Sequence, residues 1–185
     1  MQKSYVTLEE EVRKLLLRFP DLVDSLQSRD DQFPRRFEHW LKEGEETMKK
    51  NGIVECARLA GFRSKLLIPL HEDKKKISVR KRQTQIASEL LFDAQNTLLD
   101  LCKPIESRLN NCRDIINQIL GVIHQTGSVR YDSNEGFEAF VNKLWSLLTT
   151  HEQLKPGMLK VFTLVSQGDA RRLLAEEINL EDWSG

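Results

Sequence analysis

The chain has 185 residues, enough for one domain with a proper core. Its 28 basic residues are matched by 28 acidic ones, which excludes a global field drawing it to a polyanion or a membrane, so partners have to be read from local clusters. Cys56, Cys102 and Cys112 are an odd number with no C-x-x-C spacing, a pattern that argues against a disulfide framework and for a reducing compartment. No apolar run approaches the roughly 18 residues of a membrane span, and Met1 to Thr7 lacks the basic and apolar parts of a signal peptide. The expectation is a cytoplasmic protein with no membrane insertion.

Thr7 with Glu10 has the spacing of a capping box, and Val12, Leu15 and Leu16 give a first helix its buried stripe, ending near Phe19. Pro20 suits the first turn of a short second helix carrying Leu22, Val23 and Leu26. Asp30, Asp31 and Gln32 form a polar break. Phe33, Phe37, Trp40, Leu41 and Met48 then mark one face of a third helix, which Asn51-Gly52 closes because glycine accepts the left-handed conformation that ends a helix. A fourth helix covers Ile53 to about Leu67, followed by a charged loop over 69–76.

The stretch from Ser78 to Gln125 organises the rest. Ala87, Leu91, Ala94, Leu98, Cys102, Ile105, Leu109, Cys112, Ile116, Ile119 and Ile123 recur at steps of three or four. The steps average about 3.6 residues, the period of a straight helix, where a coiled-coil seam would hold 3.5. A straight rod of this length would span about 70 Å, against about 40 Å for the diameter of a compact domain. Pro104 removes an amide hydrogen bond, and its ring clashes with the carbonyl near Asp100. Because the apolar phase continues from Cys102 through Ile105, the expectation is one helix kinked at Pro104 rather than two joined by a loop.

Thr126-Gly127 ends the long helix. Val129 and Tyr131, in the linker 128–133, alternate over too few residues to predict a strand. Asp132 and Glu135 have the spacing of another capping box, ahead of a helix lined by Phe137, Phe140, Val141, Leu144, Trp145 and Leu148. Pro156 opens the next helix. There Met158, Leu159, Val161, Phe162, Leu164 and Val165 leave almost no polar face, the pattern of a helix buried in a core or docked on a partner. Asp169 reads as the cap of a last helix, Ala170 to Ile178, and an acidic tail with Trp183 follows. The expected fold is all-α: a single globular helical bundle of about seven or eight helices, organised on a long, Pro-kinked central helix. One domain would cover 1–185, with N-terminal helices in 1–68, the central helix in 77–126, C-terminal helices in 134–178 and the tail in 179–185.

The densest charge cluster is Lys74, Lys75, Lys76, Arg80, Lys81 and Arg82, with Arg63 and Lys65 shortly before it. Such residues suit contacts with phosphates of nucleic acid or another anion, without sequence specificity. Cations at a helix start also oppose its dipole, which points to a use other than folding. No aromatic residue is interleaved for base stacking, and an acidic patch on a partner protein or plain solvation accounts for the same residues. Glu9 to Glu11, Glu43, Glu45, Glu46, Glu176, Glu177, Glu181 and Asp182 supply an acidic counterpart for self-association. The segment from Pro156 to Ile178 has the outline of a helix-turn-helix with Arg171 and Arg172 on its second helix. Glu176 and Glu177 would be repelled by phosphates, however, and a simple αα-hairpin accounts for the pattern.

Chemistry is sparse. None of His39, His71, His124 and His151 has a glutamate three residues before it, as a di-iron bundle requires, and neither H-E-x-x-H nor a Cys/His zinc spacing occurs. Gly61-Phe62-Arg63-Ser64-Lys65 lacks the glycine and lysine order of a phosphate loop. His71-Glu72-Asp73 and His151-Glu152 are adjacent side chains that diverge, with no nucleophile or orienting group at hand. No catalytic, metal or cofactor-binding residue is assigned, and no cofactor is expected. The tail from Ile178 to Trp183 is acidic and apolar, a kind of segment that docks in a groove of its own bundle or of a partner.

The function expected is that of a non-enzymatic helical protein-interaction module, an adaptor or scaffold that self-associates as an oligomer or joins a complex, with Met158, Phe162, Val165 and Trp183 as contact residues. The alternative is a nucleic-acid-binding protein using Lys74 to Arg82. A third reading is an enzyme whose pocket is assembled from distant side chains.

Overall fold

The computed structural model describes residues 3–71 and 78–183. Among them every regular element is helical: α1 (Tyr5–Leu17), α2 (Phe19–Gln27), α3 (Phe33–Lys50), α4 (Cys56–Leu67), a 3₁₀ turn (Ile68–His71), α5 (Val79–Thr126), α6 (Phe137–Thr150), α7 (Lys155–Leu164), α8 (Gln167–Glu177) and the short α9 (Leu180–Trp183). The fold is all-α and organised on the 48-residue α5. All eleven side chains of the predicted stripe, Ala87 through Ile123, are buried, the larger ones at about 1.5–3 kcal/mol each. Ser78 starts α5, its Oγ accepting the Lys81 amide at 3.2 Å, and Gly127, at φ 59, follows its end. Pro104 lies inside the helix, with no loop on either side.

The chain divides into two compact units, Thr7–Pro104 and Met1–Val6 with Ile105–Gly185, so that α1 and α5 each give residues to both. In the first unit, α3 buries Phe33, Phe37, Trp40, Leu41 and Met48. The Phe33, Phe37 and Trp40 rings follow one another at 6.1 Å, and Trp40 meets Phe19 of α2 at 5.9 Å. The indole Nε1–H of Trp40 donates to the Leu15 carbonyl at 2.9 Å, which removes the penalty of a buried, unpaired donor. At Gly44 an added Cβ would stand 2.8 Å from Leu59 Cδ1, so Leu59 of α4 fills the space that a side chain on α3 would take. α4 starts three residues after Ile53, because the chain from Ile53 first closes consecutive turns in which Cys56, Ala57 and Arg58 donate three residues back.

In the second unit, Ile105, Leu109, Cys112, Ile116, Ile119 and Ile123 of α5 share the core with Phe140, Leu144 and Leu148 of α6, Met158 and Val161 of α7, and Ala170, Leu173 and Leu174 of α8. α7 sits tightly on α5: a Cβ at Gly157 would fall 2.6 Å from Ile119 Cδ1. α7 is not buried all round, since Leu159 is 53% exposed and Phe162 half-buried against Trp145, with ring centroids 5.8 Å apart.

The caps differ from the sequence pattern. α1 begins at Tyr5, so Thr7 and Glu10 lie inside it rather than at its start. Its first amide, on Tyr5, instead donates to Asp169 Oδ2 at 2.9 Å, and the Ser4 hydroxyl donates to Asp169 Oδ1. Asp169 is therefore free of the role expected of it. The cap of α8 is Ser166, whose Oγ accepts the Asp169 amide at 3.1 Å. Asp132 binds the Asn134 amide at 2.8–2.9 Å in a local turn, and α6 starts after Gly136, at φ 77. Short side-chain-to-backbone turns of this kind compete with capping at the same spacing.

Candidate functional site

The described members of the basic cluster lie on two helices, α4 and α5. Lys74, Lys75 and Lys76 lie outside the described residues. Arg63, half-buried on α4, pairs with Glu45 of α3 at 3.4 Å, whereas Lys65 is exposed. Arg80 and Lys81 are exposed on the first turn of α5, and Arg82 is partly covered. Arg80 and Lys81 line a groove of about 650 Å³ between the start of α5 and the α2–α3 turn, where Arg29, Asp30 and Asp31 face them above Leu26 and Phe33.

The acids of this groove are already engaged. Asp31 pairs with Arg80 at 2.7 Å. Asp30 Oδ1 accepts the Gln32 amide at 2.8 Å, Oδ2 accepts the Ser25 hydroxyl at 3.0 Å, and Arg36 stands 3.3 Å away. These partners, the Gln32 amide foremost, hold the Asp30 carboxyl below its ordinary range. The hydroxyls of Thr84 and Ser88 donate to the carbonyls of Arg80 and Gln85 at 3.1 and 2.7 Å, which leaves recognition here to charged groups. Arg29 was not among the sequence-derived residues. What sets it apart is its left-handed backbone after the Ser28 cap of α2, which the residue type does not reveal.

Met158 and Val165 are fully buried, and Trp183 nearly so. The Trp183 ring packs edge-on against His124 and Phe140 at 5.6 and 5.5 Å. Its carbonyl accepts the Tyr131 amide at 3.0 Å, and His124 Nε2 lies 2.8 Å from the Asp182 carbonyl. The tail thus docks on its own unit, and the backbone of Tyr131 serves that docking. Cys112 is no nucleophile: burial, with the Asp169 carboxylate adding to it against Arg108 and Arg113, pushes its thiol up to about 11.

A second groove, of about 390 Å³, runs between α6 and α8. Phe137, Val141 and Ala175 supply apolar surface, flanked by Arg171 and Arg172 with Glu138 at one side. Arg171 hydrogen-bonds to Asn142, and Arg172 Nε pairs with Glu176 at 3.2 Å. Phe137 is 40% exposed there, whereas Phe140, Val141, Leu144 and Leu148 of the same helix are buried. Among the described residues no helix is long and apolar enough to cross a membrane. No family model, no curated protein and no solved structure matches the chain.

Proposed function

We propose that the chain is a non-enzymatic protein-interaction module that receives an acidic, amphipathic partner helix in the α6–α8 groove. The observation that supports this is the pairing of an apolar floor, Phe137, Val141 and Ala175, with two guanidinium groups beside it. A helix laying its apolar stripe on that floor turns its acidic flank toward Arg171 and Arg172, which fixes orientation and speeds encounter. The present partners of the arginines, Asn142 and Glu176, are exposed. Exposed pairs of this kind contribute about 0–1 kcal/mol, so exchanging them for partner carboxylates costs little. Of the residues expected to make contacts, Met158, Val165 and Trp183 are buried and Phe162 is half-buried, so the reading rests on the α6–α8 groove instead.

A photo-crosslinking amino acid in place of Phe137, incorporated in the native cell, is expected to give an adduct whose crosslinked peptide is helical in pattern and rich in Asp and Glu. Charge reversal in the Arg171→Glu, Arg172→Glu double variant should abolish it. A strict monomer with no adduct, or an adduct indifferent to the reversal, overturns the reading.

A further inference from the structure

The groove at the α2–α3 turn holds a side chain that its own backbone disfavours. α2 closes with paired bonds, Arg29 N–H to the Leu26 carbonyl at 3.1 Å and Asp30 N–H to the Ser25 carbonyl at 2.9 Å. That closure places the residue after the cap in the left-handed region, the usual place of glycine. Arg29 occupies it at φ 56, whereas the other positive-φ positions among the described residues, 52, 127 and 136, are all glycine. A side chain there works against the fold, so the guanidinium it carries calls for a reason beyond folding.

The charges around it supply one. Arg80 is matched by Asp31, and Asp30 is matched by Arg36 and by two hydrogen bonds. Arg29 and Lys81 both line the same 650 Å³ space, are exposed, and have no ion-pair partner among the described residues. We infer that this groove binds a phosphoryl oxyanion between Arg29 and Lys81. The planar guanidinium offers two parallel donors to the phosphoryl oxygens, and the ammonium adds a point charge from the opposite wall. Arg80 joins by exchanging Asp31 for the ligand. The volume lies in the range of small-molecule sites, above what a bare phosphate fills, and the half-buried Leu26 gives an organic group an apolar contact. The shared chemistry is the phosphate, carried either by a free phosphate ester or by the backbone of a single-stranded nucleic acid. This inference stands apart from the α6–α8 groove and does not rest on it.

The test uses the full chain at low salt, titrated calorimetrically with inorganic pyrophosphate and, in parallel, with a single-stranded oligonucleotide. Arg29→Gly is expected to raise Tm, because glycine relieves the left-handed position, and at the same time to weaken binding about tenfold or more. A rise in stability with a loss of binding separates a ligand contact from damage to the fold. Lys81→Met should weaken binding similarly, and Lys160→Met, on the exposed side of α7, should leave it unchanged. Pyrophosphate binding as tight as that of the oligonucleotide assigns the phosphate to a free ester; much tighter oligonucleotide binding that falls steeply with salt assigns it to nucleic acid. Failure of the wild-type chain to bind either probe, or binding that survives both Arg29→Gly and Lys81→Met, overturns the inference.

Discussion

At Asp30 the arrangement of one carboxylate sets a pH dependence. Its partners, the Gln32 amide first and the Ser25 hydroxyl next, lower its pKa from the ordinary 3.8. A carboxyl with a depressed folded pKa adds stability that is complete above its unfolded pKa and is lost as pH falls through the folded one. The contribution is therefore present at pH 7 and decays below about pH 4. Asp30→Asn, which keeps an acceptor for the Gln32 amide, should lower Tm at pH 7 and flatten the decline of Tm between about pH 4 and pH 2. An acid limb identical to that of the wild type would show that these bonds do not stabilise the native state. The sequence marked Asp30 as part of a polar break but could not show which atoms it binds. Nor did it single out Arg29, since a left-handed arginine differs from any surface arginine only through its φ.

Among the elements, the start of α1 shows how a spacing rule is overridden by packing. Thr7 and Glu10 have the right separation for a capping box, yet the helix starts earlier because the buried Asp169 carboxylate, 164 positions away from Tyr5, satisfies that residue's amide. A charged acceptor at a helix N-terminus also meets the positive end of the dipole. Asp169→Ala leaves the Tyr5 amide and the Ser4 hydroxyl without this acceptor, so a loss of about 3 kcal/mol is expected in urea unfolding. Ser166→Ala, which removes only the local cap of α8, should cost about 1 kcal/mol. An Asp169→Ala variant as stable as the wild type would mean that the long-range bonds add nothing. α5, by contrast, was legible almost to the residue, from Ser78 as its cap to Gly127 just past its end. Its apolar repeat runs for some 37 residues, and a repeat that long admits one phase.

For the molecule as a whole, two buried thiols report on the two compact units: Cys102 falls in Thr7–Pro104 and Cys112 in the unit that contains Ile105–Gly185. Both are on α5, whose stripe is buried from Ala87 to Ile123, so exposing either requires that helix to leave its neighbours. Alkylation in increasing urea is expected to reach Cys56, which is only half-buried, before either of them, and then Cys102 and Cys112 over one common range. A wide gap between those two thiols would show that the units open separately. The sequence by itself determined the helical class, the extent of α5 and the identity of its buried face, because these follow from a periodicity that neighbouring residues carry together. Only the tertiary structure decided which groups meet across long separations: Asp169 with Ser4 and Tyr5, Trp183 with Phe140, Arg63 with Glu45 and Arg80 with Asp31. The physical reason is that a local pattern needs one face to lose water, whereas the pairing of polar groups is chosen by distances that exist only after the helices have packed.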